Sequence, residues 1–127
     1  MSKKVAIVGL GYTASRSLTP EVSYKELMYE AAVKAYEDAG LAPRRDVQSF
    51  VTVAEDFYEG TSIFDEYVPD QLGGMLKPNV TIPGEGIHGL ATGYMQVASG
   101  LFDVVVVEAH SKASNVHTLP YVTAYAM

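Results

Sequence analysis

The hexapeptide Pro83-Gly84-Glu85-Gly86-Ile87-His88 holds the side chains best placed to do chemistry. Glu85 and His88 are three apart, so on a helix they share roughly one face. A carboxylate and an imidazole so placed can move a proton to or from a carbon beside a carbonyl. The glycines flanking Glu85 predict a tight turn. A strand that feeds a helix through such a turn brings backbone N–H groups to a point, where an anion can bind. Glu85 and His88 are therefore the candidate catalytic pair, and Gly84 and Gly86 the candidate ligand-binding backbone. The plainer alternatives are a helix-capping acid for Glu85 and a histidine bonded to a neighbour for His88. His110 is the third candidate. It follows Glu108 at the end of the apolar run Phe102 to Val107, and such strand ends face the ligand crevice in open α/β sheets. Its alternative is a buried polar pair tying the strand to a loop.

Other chemistries are excluded by what the chain lacks. None of its 127 residues is cysteine, so there is no disulfide framework, no thiolate metal site and no catalytic thiol. Ser111 and Ser114 are not set in a G-x-S-x-G elbow. His88, His110 and His117 have no metal-ligand spacing, so no metal site is expected. A net charge of -6 argues against nucleic-acid binding. No apolar run reaches the roughly eighteen residues of a membrane span. Apolar residues make up 48% and charged residues 19%, a globular balance for one domain. A cytoplasmic protein is the simplest expectation.

The elements that must position these residues alternate. Val5 to Leu10 reads as a first strand buried on both faces. Gly9-Leu10-Gly11 with Ala14 superficially matches a dinucleotide fingerprint, but Pro20 and a polar stretch stand where its helix must open, so we read a strand ending in a turn. Ser23 to Glu26 is a capping box, and Leu27, Met28, Ala31, Ala32, Ala35 and Ala39 form a small, close-packing stripe. Gly40 and Pro43 stop that helix. Tyr24, Tyr29 and Tyr36 are expected to pack rather than react. Val47 to Val53 is a second strand. Ile63 to Leu76 has interrupted helical character. Val80 to Ile82 is a third strand, and Leu90, Tyr94, Val97 and Ala98 give the next helix one apolar face, ended by Gly100. Phe102 to Val107 is a fourth, central strand. This βαβαβαβ order is the alternation of a doubly wound, layered α/β domain, and residues 1–127 make one domain at most.

The run Lys4 to Gly11, the SYKELMYEAAVKAYEDAGL helix and ASGLFDVVVVEAHSKAS together resemble the N-terminal half of a thiolase. ASG-x-x-DVV-x-V at Ala98 to Val107 is the most specific piece, and EAHSKAS resembles an archaeal branch of acetyl-CoA acetyltransferase-like proteins. The resemblance implies a thiolase-like fold, of which this chain is an incomplete half. It implies acyl-CoA thioesters as substrates, thiolysis or Claisen condensation as the reaction, and assembly as a homo-oligomer in which the strand Asn79 to Ile82 lies at the interface. A zinc-ribbon/OB-fold partner protein is implied as well. Family members carry a nucleophilic cysteine between the third strand and third helix. Counting back from Gly100 puts Pro83 there, or Glu85 with two residues of slack. The resemblance therefore leaves three readings open: an acyltransferase, a non-catalytic acyl-CoA-binding or scaffold subunit, and an aldolase or lyase without a covalent intermediate.

Overall fold

A three-stranded parallel sheet carries helices on both faces. The computed structural model describes residues 4–16, 18–54 and 69–112. In chain order these form α1 (Tyr24–Ala39), α2 (Pro43–Asp46), β1 (Ser49–Val53), α3 (Pro69–Leu72), β2 (Asn79–Ile82), α4 (Gly86–Ala98) and β3 (Val105–Ala109). The strand order is β2-β1-β3. Both pairings are parallel, with Val51 beside Val80 on one side and Val107 on the other. β1 is the buried centre, with all five of its residues inaccessible, as a strand flanked in its sheet and covered on both faces must be.

The side-chain alternation of the strands divides the molecule into layers. Phe50, Val104 and Val106 point to the α1 side, where Met28, Ala32, Val47, Ala54 and Leu72 complete the core. Val51, Val53, Val105 and Val107 point to α4. The capping box forms as the sequence predicts: Glu26 N–H donates to Ser23 Oγ and Ser23 N–H to Glu26 Oε2. Gly40 closes α1 in the left-handed conformation with φ 67°. Tyr36 donates its hydroxyl to Leu72 O, joining α1 to α3, and burial pushes its phenol up to about 12. Tyr24 is partly buried against the core, whereas Tyr29 is exposed.

Two expectations need correction. Val5 to Leu10 is not a strand: it pairs with none of the described residues in a ladder, and Ile7, Val8 and Leu10 are mostly exposed. Its polar backbone binds α1 instead of a ladder, with Leu10 N–H donating to Asp38 Oδ2 and Lys34 Nζ to Tyr12 O. Gly9 and Gly11 allow that approach, since a Cβ on them would lie 2.5 Å from Ala35 O and 2.0 Å from Ala31 O. An apolar β-branched run is thus held along α1 by its backbone polar groups and not in a ladder. The last strand is Val105–Ala109 and not Phe102 to Val107. Gln48 Oε1 accepts the N–H groups of Asp103 and Val104, holding those residues in the approach to the strand. Of the stretch Ile63 to Leu76, α3 is helical; residues 63–68 lie outside the described residues, as does the tail from residue 113 with Ser114 and His117.

Candidate active site

β2 ends at Ile82, and the chain turns at Gly84 into α4. Gly84 has φ 112°, a conformation that L side chains rarely adopt. The sequence placed this demand equally on Gly86, which instead begins the helix with ordinary dihedrals. Gly86 is small for another reason: a Cβ there would lie 3.2 Å from Ala109 Cβ. The turn therefore sits directly beside the C-terminal end of β3.

Glu85 is the N-cap residue of α4, with extended φ and ψ. His88 folds back over the turn. Its Nδ1 accepts the Glu85 N–H at 3.1 Å, and its ring lies 3.0 Å from where a Gly84 Cβ would be. A ring nitrogen that accepts cannot carry the proton, so in this geometry the neutral ring holds it on Nε2. Both Glu85 and His88 are exposed. The pair expected from sequence is thus brought together, through the imidazole and a backbone amide.

His110 is elsewhere. Its backbone N–H continues the ladder to Val53 O, but its side chain belongs to the opposite face of the sheet. There its ring stacks on Tyr24 at 5.9 Å, and its Nδ1 lies 3.0 Å from both carboxylate oxygens of Glu108. Both side chains are about nine-tenths buried. Lys112 continues the row two residues on, itself buried and donating to Val22 O. Thr52, opposite Glu108 in the register, bonds Thr81 at 3.0 Å. The sheet's C-terminal edge therefore has two polar groupings, Glu85–His88 on the α4 side and Glu108–His110 on the α1 side. The sequence reading missed Lys112 and this separation. Their signal was present in the alternation of 108, 110 and 112, which puts all three on one face.

Leu10, Gly11, Tyr12 and Ala14 border an open recess of about 330 Å³ with Lys34. Among the described residues no strand precedes it and no helix opens there, and Lys34 is held by Glu30 and Tyr12 O, so the dinucleotide reading gains nothing. Among the described residues, no three His, Asp or Glu side chains converge as a metal site, and no helix is long and apolar enough to cross a membrane.

No family model matches the sequence, and no curated protein does. Among solved structures, the chain is similar to 3-oxoacyl-[acyl-carrier-protein] synthase III from Aquifex aeolicus VF5, with a TM-score of 0.64 over 79% of this chain at 20% identity. The fold is thiolase-like. The match takes in 33% of the synthase, so the chain spans about a third of that protein's length. The thiolase-like fold explains the layered order described above, with a parallel sheet between α1 and α4 and the glycine turn at the sheet's C-terminal edge.

Proposed function

We propose that this chain is the N-terminal part of a thiolase-like protein that acts on acyl-CoA thioesters, of the acetyl-CoA acetyltransferase type, and that its own residues contribute acid–base rather than thiol chemistry. The observation that carries this reading is the junction of β2, Gly84 and α4, where His88 keeps its proton on the nitrogen directed away from the Glu85 amide. That Nε2–H is suited to donate to a thioester carbonyl oxygen as negative charge develops there. Glu85, one residue before the helix, is the group available to take a proton from the adjacent carbon. The Gly84 turn and the start of α4 offer N–H groups to an anionic part of the ligand. His110, across the sheet, serves this account as a buried partner of Glu108 rather than as a third member of the pair.

A second reading, a non-catalytic acyl-CoA-binding subunit, is favoured by one observation: the His88 imidazole is already engaged in capping the Glu85 N–H. Incubating the intact protein with acetoacetyl-CoA and coenzyme A separates the two. Sustained formation of acetyl-CoA supports the enzyme, and tight binding without turnover supports the binding subunit. Neither binding nor turnover contradicts both.

The same reading includes homo-oligomer assembly through β2. Among the described residues this strand is an edge of the sheet, with Val80 40% exposed, and it is preceded by Leu76, fully exposed at φ 63°. An edge strand without charged guards is open to pairing with another chain. A zinc-ribbon/OB-fold partner remains part of the proposal on sequence resemblance alone.

A further inference from the structure

The start of α4 rests directly on two strand ends. Gly86 lies against Ala109, where an added Cβ would be 3.2 Å from Ala109 Cβ, and Gly89 lies against Val53, where it would be 2.3 Å from Val53 Cγ2. Ala109 and Val53 are register partners, and the ladder runs one bond further, from His110 N–H to Val53 O. With glycine on the helix side, no flexible side chain separates the α4 backbone from the sheet. Close-packed contacts of this kind transmit displacement. The position of the β3 end therefore sets the position of the turn that carries Glu85 and His88.

On the opposite face that strand end is clamped. Glu108 and His110 flank Ala109 in the chain and, by strand alternation, point to the α1 side. His110 Nδ1 lies 3.0 Å from both carboxylate oxygens of Glu108, with both side chains about nine-tenths buried. Against a carboxylate, which only accepts, Nδ1 carries the proton. The ring stacks on Tyr24, the first residue of α1, at 5.9 Å and 13° between planes. Apolar residues would hold the strand to α1 at least as well, because a buried charge needs full compensation. What a hydrogen-bonded pair adds is direction, since it fixes one arrangement. We propose that Glu108 and His110 are positioning residues for the Glu85–His88 turn, setting the end of β3 on which the start of α4 rests. The catalytic consequence rests on the acid–base reading of that turn given above. A reacting group misplaced by about 1 Å can lose about 10²-fold in rate.

The test reads the turn and the reaction separately, on the intact protein. The ring nitrogens of His88, followed by nitrogen NMR, report the turn without any ligand, since in place its Nδ1 accepts the Glu85 N–H. Exchange of the acyl α-hydrogens of acetyl-CoA with deuterated water reports the reaction. His110→Ala should move the His88 signals toward those of a free imidazole. It should slow exchange by about tenfold or more, with acetyl-CoA affinity little changed. His110→Asn places an amide N–H where Nδ1–H stands and should restore most of both. Should His110→Ala not fold, Glu108→Gln weakens the bond without emptying the site and is read in the same way. Val47→Ala is the control. It opens the core at the other end of the sheet, so it should lower the denaturation midpoint and leave His88 and exchange as in wild type. Unchanged His88 signals in His110→Ala overturn the proposal, whatever the rate. So does a Val47→Ala variant that moves them as far, because the turn then follows stability alone. Wild-type protein without exchange, or exchange unaltered when the His88 signals move, overturns the acid–base reading instead, and the His88 signals alone then decide the positioning.

Discussion

His88 Nδ1 accepts the backbone N–H of Glu85 at 3.1 Å, so one imidazole both caps a helix and holds its remaining proton on Nε2. The cap and the proposed chemistry can be separated by substitution. His88→Ala should cost about 1 kcal/mol of stability, the usual scale for a lost cap. His88→Glu restores a side-chain acceptor at the third helical position, the common partner in capping boxes. It should recover that stability while leaving acyl-CoA activity low. Urea denaturation of the three proteins checks the first effect, and turnover checks the second.

Gly84 and Gly86 should respond differently to an added side chain. Gly84→Val forces φ 112° on a residue that resists it and presses on the His88 ring, so it should cost on the order of 1–3 kcal/mol. Gly86→Ala meets only Ala109 Cβ, at 3.2 Å. It gains up to about 1 kcal/mol of helix propensity against that crowding and should stay near wild type. Thermal unfolding of both variants is sufficient.

Gly93→Ala tests the close contact of α4 with the sheet. Helix propensity alone favours alanine by about 1 kcal/mol. Its Cβ, however, would lie 2.5 Å from Val107 Cγ2, and overpacking of this kind typically costs about 1–3 kcal/mol. The substitution should therefore destabilise, and pairing it with Val107→Ala should recover part of the loss in a double-mutant cycle.

Acid should loosen α2 through Asp46. Its carboxylate accepts from Arg45 and from the Ala42 N–H, and these bonds hold it at about 2, below its ordinary 3.8. A carboxyl group lowered by folding stabilises above its unfolded value and loses that contribution as pH falls toward the folded one. Asp46→Asn should therefore narrow the stability gap between pH 5 and pH 2. Denaturant midpoints measured across that range check it.

The sequence made some of this legible and hid the rest for physical reasons. The capping box at Ser23, the Gly40 stop and the turn before α4 are local signals, and they survive into the fold. The apolar run Val5 to Leu10 has strand composition, but pairing depends on a neighbour that composition does not specify. The stripe of Leu90, Tyr94, Val97 and Ala98 was read correctly as apolar. That Leu90 and Tyr94 stay partly exposed while the helix rests on the sheet follows from Gly89 and Gly93, which the sheet's valines require to be small. Glu85 and His88 were legible as a pair because three-residue spacing is local. Their separation from His110 depends on the alternation of β3, whose register against β1 composition does not specify.

The central claim is that Glu85 and His88 move a proton beside an acyl-CoA carbonyl. Exchange of the acyl α-hydrogens of acetyl-CoA with deuterated water, followed by NMR on the intact protein, reads that step directly. The account predicts enzyme-dependent exchange that Glu85→Gln slows by about 10²-fold, the usual scale for a lost general base, with acetyl-CoA affinity little changed. Exchange in Glu85→Gln within about threefold of wild type would contradict the account and leave Glu85 as a helix cap alone.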